Sequence, residues 1–305
     1  MNRGWITPAQ FATFEATNTD AHRIFSDGEG WIERLAQDAL ISHKAVGALE
    51  AMRDGLAEWC AASGWQPRRT FGKLLPRQNE DRDPPVLASG DSALPLTGEV
   101  RENSVRYALD FAAGYSAGLF LDQRMNRSFL RSVAPKRMLN TFAYTCSFSV
   151  VAALAGAETV SIDLSKKSLE RGRSNFAMNN LDPNARHRFL ADDVLDVLPW
   201  LALRGEKFDA IVLDPPTFSR GNKGRRWQVG QHLEELVIAA MEVAAPSARI
   251  LISTNCTTVQ FADLERVGRF ALKFHRRAGD MHREAQPPDF PPGHGARTLW
   301  VSLRG

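Results

Sequence analysis

Arg137-Met138-Leu139-Asn140-Thr141, Thr159-Val160-Ser161-Ile162-Asp163 and Ala210-Ile211-Val212-Leu213-Asp214-Pro215-Pro216 are three short apolar runs, each closing on polar or turn residues. Runs of this kind, separated by stretches with helical spacing, predict a mostly parallel sheet covered on both faces, because a strand buried on both sides shows no polar alternation. The same reading places strands at Ala185 to Ala191, Arg249 to Ser253 and Thr298 to Leu303, and a helix from Lys166 to Met178. The expected class is α/β. In open sheets of this class, ligands bind beyond the carboxyl ends of the strands, so the residues just after each strand become the candidates.

Upstream, Val105 to Phe111 alternates like a strand and Gly114 to Gly118 supplies turn residues. The stretch from Arg77 to Ser92, with Glu80-Asp81-Arg82-Asp83-Pro84-Pro85 and Ser89-Gly90-Asp91, mixes charge, Pro and Gly as an exposed connector does. It divides the chain into an N-terminal cap or recognition region with linker, 1–95, and a larger domain, 96–305. In the first part, Trp31, Ile32, Leu35, Ala39 and Leu40, then Val46, Leu49, Met52, Leu56 and Trp59, recur at steps of three and four. That spacing predicts helices, the second ending near Gly64, in a mainly helical or mixed part without a chemical motif.

Composition narrows the function classes. The chain has 305 residues, is 44% hydrophobic and 24% charged, and carries 38 basic against 35 acidic residues, which excludes a disordered or fibrous protein. No apolar run reaches the roughly 20 residues of a membrane-spanning helix, and nothing near Met1 resembles an export signal, so no membrane association and a cytoplasmic location are expected. Cys60, Cys146 and Cys256 are an odd number, far apart and without a CxxC spacing, so neither a disulfide framework nor a metal site is expected. A net charge of +3 does not announce a nucleic-acid binder, but its distribution is uneven. Arg220, Lys223, Arg225 and Arg226 form one basic cluster, and His275, Arg276, Arg277, His282 and Arg283 a second. Each reads equally well as solvated surface or as phosphate-binding surface.

The strand ends carry the chemistry. Asp163 stands about 20 residues beyond the first of these strands, where nucleotide-binding α/β folds place the carboxylate that binds ribose hydroxyls. It could also cap the next helix, although Ser165 is the better cap. Of the pair Asp192-Asp193, Asp193 is the candidate acceptor for an exocyclic amine such as that of adenine. Two prolines after Asp214 fix φ and remove two N–H donors, leaving carbonyls free to point into a cleft, with Phe218 placed to stack on a planar substrate.

Together these blocks resemble a known family. Gly118-Leu119-Phe120-Leu121-Asp122-Gln123-Arg124, Leu139-Asn140-Thr141-Phe142-Ala143-Tyr144-Thr145, Phe148-Ser149-Val150, Gly156-Ala157, Asp163 and Leu213-Asp214-Pro215-Pro216-Thr217-Phe218 follow the order and spacing of S-adenosylmethionine-dependent methyltransferases. The chain is similar to the bacterial large-subunit ribosomal RNA enzymes that modify cytosine C5 or guanine N7, from about Val105 to its end. The resemblance implies a Rossmann-like class I methyltransferase sheet with helices on both faces, S-adenosyl-L-methionine as cofactor, and an RNA substrate. It also implies cofactor contacts from Gln123, Arg124, Asn140, Tyr144, Thr145, Ser147, Asp163 and Asp193. Asp214, Pro215, Pro216 and Phe218 would form the acceptor side, and Gly221 to Gly230 a basic lid.

Two departures bear on the chemistry. Cys146 stands where the family usually has Gly, and is expected to narrow the backbone's approach to the cofactor. Near the fifth strand, Asn255-Cys256 combines features of both branches. The cytosine C5 branch needs a thiolate that adds to the ring, whereas guanine N7 already offers a lone pair. Cys256 is therefore a candidate catalytic thiol, while Asn255 and Thr217-Phe218-Ser219 lean towards guanine N7. The alternatives are methylation of a small molecule or protein, and a cofactor-binding or RNA-binding module without catalysis.

Overall fold

The computed structural model describes residues 4–75, 83–220 and 226–305, Arg220 by its backbone alone. The chain forms two compact units, Met1–Leu121 with Pro287–His294, and Asp122–Gln286 with Gly295–Gly305.

The first unit contains α1 (Pro8–Ala16), β1 (Ala21–Ser26), β2 (Gly30–Leu35), β3 (Asp38–His43), α2 (Ala48–Ser63), β4 (Arg69–Leu74), β5 (Val86–Gly90), β6 (Thr97–Glu102) and β7 (Val105–Asp110). Strands β1 to β5 form one sheet in that order, and β6 and β7 form a separate hairpin. Helix α2 occupies the expected place and ends at Gly64, whose φ of +75° satisfies the left-handed cap. The earlier apolar series is not a helix: Trp31 to Leu35 and Ala39 to Leu40 lie in β2 and β3, joined through Ala36-Gln37. That two-residue turn contains neither Gly nor Asn, and β3 is buried on both faces, so neither turn chemistry nor alternation revealed the hairpin.

The Arg77 to Ser92 stretch is not a boundary between units in the residues that are described. Val86–Gly90 pairs antiparallel with β4, and the division falls at Leu121/Asp122 rather than near residue 95. Residues 97–110 belong to the first unit because the hairpin is tied to its sheet. Asp20 N–H donates to the Arg101 carbonyl, and the Arg101 N–H donates to the Asp20 carboxylate. Downstream, Asp289 accepts from the Arg23 N–H at 2.7 Å and Phe290 lies 3.9 Å from the Arg23 guanidinium, which brings a late segment of chain into this unit.

The second unit is a seven-stranded sheet. Its strands are β8 (Arg137–Thr141), β9 (Glu158–Ile162), β10 (His187–Leu190), β11 (Phe208–Leu213), β14 (Ala244–Thr254), β15 (Gly279–His282) and β16 (Arg297–Leu303); β12 (Phe218–Arg220) and β13 (Arg226–Gln228) make a small hairpin. The order is β10-β9-β8-β11-β14-β16-β15, with β16 antiparallel to both of its neighbours and the other pairs parallel. Six strands lie where the sequence placed them, while β15 and the β12–β13 hairpin, too short to carry a pattern, were not expected. Helices α3 (Arg124–Val133), α4 (Ser147–Leu154), α5 (Lys166–Met178), α6 (Val194–Leu203), α7 (Val229–Glu242) and α8 (Phe261–Phe274) complete the unit. Leu139, Ile162, Ile211, Leu213, Ile250 and Ile252 face a core shared with Leu198, Leu236, Val237 and Leu264 of the helices. The chain runs outward from β8 through β9 to β10 and then returns to the other side of β8 as β11. Strand order therefore reverses between β8 and β11, and that switch point opens the crevice.

Candidate cofactor and acceptor site

The loop leaving β8 has an unusual backbone. Phe142, Tyr144 and Cys146 have φ of +52°, +47° and +60°, a region that costs non-glycine residues about 1–3 kcal/mol each. Asp163, just past β9, stabilises this loop. Its carboxylate accepts the Tyr144 N–H at 2.8 Å through one oxygen and the Ser165 N–H at 2.8 Å through the other. Burial raises its pKa above the usual aspartate value, and the two amides partly counter that. Ser165 accepts from the Ser168 N–H and caps α5, as its position implied, which leaves Asp163 to join the loop to the strand end.

Asp193, past β10, is buried and caps α6 by accepting the Leu195 N–H at 3.0 Å. It also lines a small open slot together with Phe142, Leu164, Val194, Leu195, Ser219 and Trp227. A mostly apolar lining with one acidic residue suits a planar heterocycle bearing an amine. Phe142, Leu164 and Trp227 were not singled out from the sequence. Leu164 had a signal, since it directly follows the ribose-type acid, but Trp227 reaches the slot only through the hairpin fold.

Asp214, past β11, is largely enclosed, and burial pushes its carboxyl up to about 6; the Ser253 hydroxyl and the Arg127 charge lower it, while Asp122 raises it. Gln123 donates to Ser253 Oγ at 2.8 Å, Asn126 donates to Gln123 Oε1 at 2.9 Å, and Trp300 donates to Asn126 Oδ1 at 2.9 Å. Gln123 is thus hydrogen-bonded through both its amide nitrogen and its oxygen. Ser253, Asn126 and Trp300 carried no sequence signal, because three separate elements bring them together.

Other expected contacts are placed as follows. Asn140 is buried and donates to Ser149 Oγ at 2.9 Å, tying β8 to α4. Thr145 is buried and its carbonyl accepts from Asn175, whereas Tyr144 and Ser147 are half-buried at the loop and the start of α4. Arg124 is buried at the start of α3. Pro216 is exposed and Pro215 buried, but the Pro216 carbonyl is not free: it accepts from Trp227 Nε1 at 2.9 Å. Phe218 is 65% exposed in β12.

Cys146 does not narrow the crevice. A Cβ built on Gly172 of α5 would lie 2.5 Å from Cys146 Sγ, so the thiol is directed at that helix, and burial raises it to about 12. Gly172→Ala should therefore cost about 1–2 kcal/mol of stability, overpacking outweighing the gain in helix propensity. Adding Cys146→Gly should recover most of that loss in denaturant titrations; strictly additive effects would show that the two sites do not touch. Cys256 is buried in the core cluster with Sγ 3.1 Å from Thr258 Oγ1.

The basic clusters separate. Arg226 is exposed in β13, but Lys223, Arg225 and the rest of residues 221–225, half of the Gly221 to Gly230 segment, lie outside the described residues, as does the Arg220 side chain. In the second cluster, Arg277 donates to the carbonyls of Ala244, Ala245 and Pro246, His275 Nε2 lies 2.9 Å from the Ile238 carbonyl, and Arg283 pairs with Glu265. These groups serve local packing. Among the described residues there is no cluster of three or more metal-ligating side chains, and no helix is long and apolar enough to cross a membrane.

A β10-β9-β8-β11-β14-β16-β15 sheet with acids past β9, β10 and β11 defines a Rossmann-like class I methyltransferase fold. The chain belongs to the S-adenosylmethionine-dependent methyltransferase family, whose model matches residues 22–303. That match takes in most of the N-terminal unit, which the motif resemblance had left out. The chain is similar to ribosomal RNA large subunit methyltransferase K/L of Chromohalobacter salexigens, 42% identical over 160 residues, 52% of this chain and 21% of that one. It is also similar to ribosomal RNA large subunit methyltransferase I of Tolumonas auensis, 34% identical over 193 residues, 62% of this chain and 48% of that one. The chain thus spans less than half the length of these relatives. Among solved structures, SMU.776, complexed with SAH, superposes with a TM-score of 0.82 at 23% identity over 96% of this chain and 79% of that one, a likeness of fold.

Proposed function

We propose that the chain methylates a base of large-subunit ribosomal RNA in the cytoplasm, with guanine N7 favoured over cytosine C5. The observation that carries this reading is the Asp214-Pro215-Pro216-Thr217-Phe218 segment at the switch point, together with a slot whose mostly apolar lining and one acidic residue suit the cofactor's adenine. S-adenosylmethionine supplies an activated methyl group on its sulfonium, so the protein's contribution is chiefly to position the two partners. In this reading Asp163 binds the ribose hydroxyls with the lone pairs its two amides leave, and Asp193 accepts from the adenine amine between Leu164, Phe142 and Trp227. Arg124 and the start of α4 at Ser147 take the methionine carboxylate. Asp214 and Pro215 line the acceptor side, Phe218 offers its exposed ring for stacking, and the basic run around Arg226 meets phosphate.

The packing of Cys256 supports N7, since a thiol seated against Thr258 in a hydrophobic cluster behaves as a small core residue. The test is incubation with labelled cofactor and deproteinised ribosomal RNA from a strain lacking the gene, followed by nucleoside mass spectrometry. Formation of 7-methylguanosine, with most activity retained by Cys256→Ala, is expected. Formation of 5-methylcytidine, lost in Cys256→Ala, would replace N7 by C5, and no label in any RNA would remove the RNA substrate.

A further inference from the structure

We propose that Asn175 of α5 is a positioning residue that fixes the peptide unit between Thr145 and Cys146, and so presents the start of α4 to the methionine part of the cofactor. The first N–H groups of a helix have no partner inside it and suit an anion, provided the helix start is held in place. Helix α4 lacks the usual device for that. Its N-cap is Cys146, whose φ is +60° and whose side chain makes no cap hydrogen bond, where a polar residue in extended conformation is the rule. The start is held from outside instead. Asn175 Nδ2 donates to the Thr145 carbonyl at 2.8 Å, and at the other end of the same peptide unit the Cys146 N–H donates to the Ala143 carbonyl at 2.7 Å. Turning that unit over changes ψ of Thr145 and φ of Cys146 together, which is the simplest way for Cys146 to leave its left-handed conformation. Both bonds oppose it.

The bond from Asn175 is sheltered. Asn175 and Thr145 are both buried, so water does not compete for either group, and a carboxamide can meet a carbonyl only with its NH₂. Gly172 lies one turn before Asn175 on the buried face of α5 and leaves room for Cys146 Sγ. Two residues three apart on one helix thus receive two consecutive residues of the loop. From the end of β9, Asp163 takes the Tyr144 N–H. Tyr144, Thr145 and Cys146 are each held by a group outside the loop, and α5 supplies two of the three.

The cofactor part rests on the methyl-transfer reading, whereas the hold on the loop is tested in the full chain without ligand. Asn175→Leu keeps the branching of the side chain and removes its donor; Asn175→Ala serves if that variant does not fold. The chain has three tyrosines, so ¹⁵N-tyrosine labelling gives three backbone amide signals, of which that of Tyr144 is assigned by its loss in Tyr144→Phe. Exchange of the Tyr144 N–H with solvent should be about tenfold faster in Asn175→Leu, as the loss of one buried hydrogen bond implies. In calorimetry the Kd for S-adenosylmethionine should rise about tenfold, while that for methylthioadenosine, which has no amino-acid part, should stay within about twofold of wild type. A general loosening of the fold would weaken both ligands alike. Asn179→Ala removes a bond to the Asn175 main-chain carbonyl at the end of the same helix and, as the control, should match the wild type in all three measurements. Unchanged Tyr144 exchange, an unchanged Kd for S-adenosylmethionine, or equal weakening of both ligands in the folded variant would overturn the proposal. Faster Tyr144 exchange in Asn175→Leu, with no binding of S-adenosylmethionine by the wild type, would leave the hold on the loop and overturn the functional reading.

Discussion

Asp163→Ala should raise the Kd for S-adenosylmethionine by roughly tenfold to a hundredfold, since a hydrogen bond to a charged group contributes about 1.5–3 kcal/mol. Two losses combine in that figure. The ribose loses its charged acceptor, and the loop from Phe142 to Cys146 loses the carboxylate that receives the Tyr144 N–H while three of its residues hold positive φ. Asp163→Asn separates them. Its single carbonyl oxygen can take one of the two amides, but its NH₂ then faces the other, so part of the loop defect remains. Calorimetry on folded variants decides the matter: affinity equal to wild type in Asp163→Ala would take Asp163 out of the site.

Replacing Asp214 by Asn should abolish most methyl transfer, about a hundredfold or more, and at the same time stabilise the fold at neutral pH. The rate loss is a matter of polarity. The introduced carboxamide would present NH₂ where the carboxylate presented only lone pairs, so an acceptor becomes in part a donor. The stability gain follows from linkage. Asp214 titrates at about 6 in the folded chain against an ordinary 3.8. Below about pH 4 the group is protonated in both states and the substitution changes little. Between about pH 4 and 6 the unfolded chain ionises first, so the wild type loses stability as pH rises, and above that range the penalty is constant. Raising a pKa by one corresponds to about 1.4 kcal/mol; because part of the residue reaches solvent, a gain of about 1–2 kcal/mol is expected at pH 8. Melting temperatures at pH 4 and pH 8 test this, and an equal change at both would show that burial of the charge is not the cause.

Much of the second unit was legible because its signals are local. Arg137 to Thr141 matches β8 residue for residue, and Lys166 to Met178 matches α5, since a doubly buried strand and a capped amphipathic helix each advertise themselves within a dozen positions. The first unit misled for the complementary reason. Trp31, Ile32 and Leu35 satisfy helical spacing as well as they satisfy β2, and the turn at Ala36-Gln37 that separates the two readings uses an alanine at φ +58° instead of glycine. Val86–Gly90 looked like linker because an edge strand in contact with solvent need not be apolar.

At the site, the sequence alone determined which carboxylates stand at the ends of three parallel strands, and so where ribose, adenine and acceptor groups are expected, because strand ends follow from apolar runs. Only the tertiary structure decided what each polar side chain is free to do. Asn140 and Gln123, which read as cofactor contacts, are tied to Ser149 and Ser253, and Cys146, read as an obstruction to the cofactor, fits against Gly172, a residue distant in sequence that has no Cβ. Hydrogen-bond capacity is finite and its allocation is set by partners far along the chain, which no local pattern encodes.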